Sequence, residues 1–124
     1  MSTGLENLIV YRKAFGLAMS IYEISKTFPK DERYSLTDQI RRSSRAVNAN
    51  LAEAYAKRKY EPHFISKLTD ADMENSETQV WLSFAFSCKY IELEFYDNSN
   101  RTSQEIGNLL NYMMKNPKKF SITR

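Results

Sequence analysis

The sequence is poor in the residues that mark most small specialised proteins. Its 124 residues include one Cys, one His, one Trp, three Gly and three Pro. A single cysteine forms no internal disulfide, and Cys88 in its apolar stretch reads as a buried small hydrophobe in a reducing compartment. So few Gly and Pro argue against a turn-rich all-β fold. One histidine excludes a di-iron bundle, which needs Glu-x-x-His on two helices, and the residue three before His63 is Tyr60. Nothing places His63 near Cys88 or a serine as a base for a nucleophile. Gly4, Gly16 and Gly107 are too scattered for a phosphate-binding loop. Glu74 and Glu77, at helical spacing on a polar face, read as a solvated or paired stripe rather than an acid–base pair. No catalytic constellation, metal-ligand set or cofactor motif emerges, so a non-enzyme is expected. Residues 1–7 are polar and have no apolar core of a signal peptide. The uncharged run 80–88 is too short to span a bilayer. The expected location is the cytoplasm, away from the membrane.

What is present describes an all-α protein. The length fits a single domain, residues 1–124, and 16 aromatic residues are too many for a disordered chain. Apolar residues recur at helical spacing between Pro29, Pro62 and Pro117. The spacing predicts helices over about residues 6–27, 36–58, 62–94 and 103–115. The first carries the stripe Leu8, Tyr11, Phe15, Ala18 and Tyr22. The second begins at a capping-box-like Ser35-Leu36-Thr37-Asp38 and carries Leu36, Ile40, Ser43, Val47, Leu51 and Ala54. Pro62 suits the first turn of the third. Asp97-Asn98-Ser99-Asn100 reads as a turn, and Thr102-Ser103-Gln104-Glu105 as a second capping box. The fourth turns Ile106, Leu109, Leu110, Met113 and Met114 inward, and the tail from Lys118 is expected to fray. Short connections make sequential helices antiparallel neighbours, an up-down-up-down four-helix bundle.

The charge is unevenly placed. Residues 41–59 hold Arg41, Arg42, Arg45, Lys57, Arg58 and Lys59 against one acid, Glu53. Residues 70–77 hold four acids and no base. Arg41 and Arg45 fall opposite the apolar stripe and are expected to project away from the core, beside a smooth face of Ala49, Ala52 and Ala56. Asp70, Glu74 and Glu77 share one face of the third helix, where like charges repel by a few tenths of a kcal/mol per pair. Two readings follow. The six cations, with Tyr55 and Tyr60 between them, form a nucleic-acid-binding surface. Alternatively, the basic face of one subunit meets the acidic face of another, in a head-to-tail contact that generates a ring when it closes. A helix-turn-helix is disfavoured, because the third helix opens with Pro62-His63-Phe64-Ile65, too apolar to read base edges.

Specific motifs lie between Phe28 and Arg58. They are Phe28-Pro29 with Glu32, Tyr34 and Leu36, then Gln39-Ile40-Arg41-Arg42-Ser43, then Asn50-Leu51-Ala52-Glu53-Ala54. This pattern resembles the S23 ribosomal protein family, four-helix bundles encoded in intervening sequences of bacterial 23S rRNA genes. Ala71, Glu77-Thr78, Leu82, Ala85 and Tyr90 extend the resemblance. Departures are Met73-Glu74 where Gly-Ser is common, Lys89 where Gly is common, and Ala54 where Gly is usual. The resemblance implies an up-down bundle and a ring-shaped homo-oligomer, typically a pentamer. A related group, the accessory variability proteins of diversity-generating retroelements, works with nucleic acid. The matching polar positions are Gln39, Arg41, Arg42, Asn50, Glu53 and Arg58. For Asn50 and Glu53 a structural role, with Glu53 in a semi-buried network with an arginine, is as fitting as ligand contact. A protein partner that takes up the same basic face is the competing expectation.

Overall fold

The computed structural model describes residues 4–121. Four helices make up the fold: α1 (Ile9–Ser25), α2 (Leu36–Ala56), α3 (Glu61–Ser87) and α4 (Leu93–Lys115). Single 3-10 turns at Leu5–Asn7, Lys30–Glu32 and Pro117–Lys119 extend the ends. Each helix packs on the next, and α1 closes the bundle against α4. The end groups fix the directions. Phe28 after α1 meets Tyr90 before α4, with ring centroids 5.4 Å apart. At the other end Phe64 of α3 meets Phe120 beyond α4 at 6.3 Å, and Gly4 lies against the Tyr55 hydroxyl of α2. Gly4 has φ +91, and a Cβ there would come within 2.6 Å of that hydroxyl, so both backbone and space require glycine.

The core is aliphatic, with Ile21, Ile40, Leu51, Leu68, Leu82, Ile106 and Leu110 sealed from solvent together with Phe64. All six stripe residues of α2 are buried as expected. On α1 the inward face is instead Val10, Ala14, Leu17, Ala18 and Ile21, while Phe15 is 52% exposed. The apolar arc of α1 is broad, interrupted on one side by Arg12, Lys13, Ser20 and Glu23, so spacing alone does not choose which part of it turns inward. The compact aliphatics take the interior and the tyrosines its edge. Two buried polar links cross the core. The Asn75 amide donates to the Ser103 carbonyl at 2.9 Å and accepts from the Ser103 hydroxyl at 2.8 Å, tying α3 to α4. The Thr78 hydroxyl lies 2.9 Å from the Ser43 hydroxyl, tying α3 to α2.

Three sequence expectations are corrected. The third helix ends at Ser87, and the fourth starts at Leu93 rather than near residue 103. Asp97-Asn98-Ser99-Asn100 and Thr102-Ser103-Gln104-Glu105 therefore lie within α4. Ser99 and Ser103 face the core, where small residues are wanted, and the Thr102 hydroxyl donates back to the Asn98 carbonyl instead of capping. The real turn is built on the backbone. The Lys89 N–H donates to Phe86 O and the Tyr90 N–H to Ala85 O, both at 2.9 Å. Lys89 sits at φ 65 between them. This is a Schellman closure with lysine at the left-handed position that glycine normally fills.

The second correction concerns the start of α2. The Ser35 side chain does not cap it. Glu32 does, since its Oε1 accepts the Ser35 hydroxyl at 2.6 Å and the Leu36 N–H at 3.3 Å. Glu32 Oε2 accepts the Tyr90 hydroxyl at 2.8 Å. The hydroxyl donors hold the Glu32 carboxyl below its ordinary value, and the same carboxylate pushes the Tyr90 phenol up to about 12. One glutamate thus joins the α1–α2 connection to the α3–α4 turn. The third correction is the tail: Pro117–Lys119 forms an ordered turn and Phe120 packs on Phe64 and Tyr112. Residues 122–124 lie outside the described residues.

Candidate nucleic-acid interface

Arg41, Arg42 and Arg45 occupy the second and third turns of α2. Arg41 does not project away from its own subunit. Its Nε donates to the Ser25 hydroxyl at 2.7 Å, and its guanidinium lies 4.8 Å from the centroid of the Tyr22 ring. Arg45 approaches the same ring at 5.4 Å and Lys26 at 4.8 Å. The electron-rich face of Tyr22 therefore gathers three cations that would otherwise repel. Arg42 is exposed on the other flank, close enough to α3 to offset a small part of the rise that burial and acidic neighbours impose on Glu74.

These arginines line a cleft of about 430 Å³ with Lys26, Lys30 and Arg33, and Asp38 is the one acid in its lining. The sequence reading missed Lys26, Lys30 and Arg33, which lie in the α1–α2 connection. Their spacing of three and four was visible, but nothing in the sequence showed that this connection folds back over the start of α2. Among the described residues, Lys26 pairs with Glu23 at 3.2 Å, and the other five cations form no ion pair.

Lys57, Arg58 and Lys59 are not part of this cleft. They follow the far end of α2, about 24 Å from Arg41 at 1.5 Å per residue. The expected single surface of six is thus two separate groups. The Arg58 guanidinium stacks 3.7 Å from the Tyr55 centroid, and its Nη1 donates to the Tyr55 carbonyl at 2.7 Å. Arg58 thereby closes the C-terminus of α2. Tyr60 is exposed and faces the His63 ring at 6.1 Å.

The expected structural residues are also resolved. The Glu53 carboxylate is exposed, and its cation is Lys67 of α3 at 3.1 Å, not an arginine in a semi-buried network. Lys67 also approaches Asp70 at 3.7 Å. Asn50 donates to the Ala46 carbonyl in its own helix at 3.0 Å, which leaves its amide turned along α2. Gln39 is exposed at the rim of a shallow pocket with Trp81, Phe84 and Cys88. Cys88 is exposed, not buried, because the helix ends there. Glu77 accepts the Trp81 indole N–H at 3.2 Å. Glu74 is pushed above the usual carboxylate range, first by partial burial and then by Glu77 and Asp70. Asp72, on the α4 side, is raised by burial alone. Among the described residues no helix is long and apolar enough to cross a membrane, and no group of three His, Cys, Asp or Glu side chains is placed to hold a metal ion.

This geometry defines an all-α four-helix bundle with a basic cleft at one end. The model of the 23S rRNA-intervening sequence protein family matches residues 6–112, and the chain belongs to that family. It is similar to a solved structure from Bacteroides thetaiotaomicron VPI-5482, a protein of unknown function from the S23 ribosomal protein family. The two share 31% identity over 86% of this chain and 96% of the other, with a TM-score of 0.78. No match is found among curated proteins.

Proposed function

We propose that the chain is a non-enzymatic nucleic-acid-binding bundle that grips phosphates in the cleft at the α1–α2 end. The observation that carries this reading is the lining of the cleft: six cations against Asp38. Four of them are arginines, whose planar forks suit bidentate phosphate contact. Tyr22 is already covered by cations, so stacking of a base on it is not part of the reading. Contacts to phosphate position a nucleic acid without reading its sequence. Binding is therefore sequence-tolerant and salt-dependent. With five or six phosphates engaged, log affinity falls against log salt with a slope of about −4 to −5. Fluorescence anisotropy of a labelled RNA hairpin over a salt series tests this, and a flat response refutes it.

A second reading rests on the strip of Asp70, Glu74 and Glu77. Glu74 gains a proton more readily than usual, first because it is partly buried and then because Glu77 and Asp70 lie beside it, so cations of a second subunit fit opposite. In this reading the chain is a homo-oligomer, a pentameric ring by resemblance, and a scaffold for a protein partner. Arg45→Glu separates the two. If Arg45 binds nucleic acid, RNA affinity falls while the light-scattering mass is kept. If Arg45 forms the joint, the mass falls to that of one chain.

A further inference from the structure

The bundle has a second basic surface at the end remote from the cleft. There the α2–α3 turn brings Lys57, Arg58 and Lys59, and the end of α4 brings Lys115, Lys118 and Lys119. Packing of Phe120 on Phe64 holds the Pro117–Lys119 turn against the start of α3. Lys115, Lys118 and Lys119 line a common cleft of about 340 Å³ with Glu61, two residues from Lys59. The acids near this end are Glu6, Glu53 and Glu61, and Glu53 is taken up by Lys67 at 3.1 Å, so the six cations stay in excess. Helix dipoles do not account for it, because the C-termini of α2 and α4 are offset there by the N-termini of α1 and α3. None of the six cations forms an ion pair among the described residues, although Lys119 donates to the Tyr112 hydroxyl at 2.8 Å.

We infer that this end is a second phosphate-binding surface and that one chain bridges two separate nucleic-acid segments, one at each end. The inference rests on the reading of the first cleft given above. The separation supports two segments rather than one. About 24 Å along α2 exceeds the screening length of roughly 8 Å at physiological salt, so the two surfaces act independently. It also corresponds to about seven base pairs of duplex at 3.4 Å each. Over that span the outward face of α2 offers Ala49, Ala52 and Ala56, which give a phosphate backbone nothing to hold.

The test is a sandwich assay on the full-length chain. An RNA hairpin is fixed to a surface, the protein is loaded and washed, and a second, fluorescent hairpin is added. The wild type is expected to load and to recruit the second hairpin. Lys59 and Lys118 are exposed and their side chains make no hydrogen bond among the described residues, so Lys59→Glu with Lys118→Glu leaves the fold intact. This variant is expected to load on the first hairpin and to recruit the second about tenfold less. The corresponding glutamine pair is expected to fall between. Recruitment unchanged in the glutamate variant overturns the inference, as does a wild type that loads but recruits nothing. A wild type that never loads instead refutes the first cleft as a nucleic-acid site.

Discussion

Replacing Lys89 by glycine should stabilise the protein. Lys89 closes α3 at φ 65, a left-handed conformation that costs an L-residue with a Cβ roughly 1–2 kcal/mol and glycine almost nothing. Its side chain is exposed, and its hydrogen bond to Phe86 O is made by the backbone. The substitution therefore removes strain and little else. Against this gain, glycine loses more backbone freedom on folding, about 0.5–1 kcal/mol. The net expectation is a gain of about 0.5–1 kcal/mol. A chain of this length has an unfolding entropy near 0.26 kcal/mol/K, roughly 2.1 cal/mol/K per residue, so the melting temperature should rise by about 2–4 °C. Thermal unfolding followed by far-UV circular dichroism measures it. Lys89→Val, β-branched at the same φ, should move the midpoint down. A glycine variant that melts at or below the wild type would refute the account of this turn.

Other outcomes follow from the same contacts. Folding lowers the Glu32 pKa, so its stabilisation is complete above the ordinary carboxylate value of 4.5 and is lost as pH falls through the lower folded value. Glu32→Gln should therefore flatten the acid limb of stability below about pH 4.5, and an unchanged limb in urea titrations would remove Glu32 from the account. Asn75→Ala leaves the buried Ser103 hydroxyl without an acceptor and opens a cavity between α3 and α4. A loss of about 2–3 kcal/mol is expected in denaturant unfolding. Tyr22→Leu removes the ring beneath Lys26, Arg41 and Arg45 while keeping an apolar side chain. RNA affinity should drop at unchanged salt slope, because the number of cations is the same.

The fold was largely legible because the stripe of α2 leaves one solution. Leu36, Ile40, Val47 and Leu51 lie on a single face of an otherwise polar helix, and all are buried. The apolar arc of α1 is broad, and apolar and charged residues are mixed around α3, so which face turns inward was decided by packing. The end of α3 was hidden because its closing residue is lysine, with no glycine to announce a left-handed turn. The Asp97–Asn100 cluster misled for the opposite reason, being turn-like in composition and helical in place. The cleft was half legible. Arg41, Arg42 and Arg45 were visible as a group, but their partners Lys26, Lys30 and Arg33 come from the α1–α2 connection, whose path depends on the Glu32–Tyr90 contact with a distant turn. Lys57, Arg58 and Lys59 are close to the arginines only along the sequence, since a helix separates its ends by its own length.

The Glu32–Tyr90 contact also sets how the bundle breathes. It fastens the two helical hairpins at one end, while the α1–α4 seam holds a cleft of about 240 Å³ beside Gly16, where even an added Cβ would touch nothing. Opening along that seam, which the Lys13–Glu105 ion pair at 3.2 Å crosses, is expected to pivot on the fastened end. Amide protons in the first turns of α1 should then exchange with solvent before those in its last turns, although both belong to one continuous helix. Such a gradient would show a helix uniform in secondary structure whose local stability is set from beyond its end, by one carboxylate.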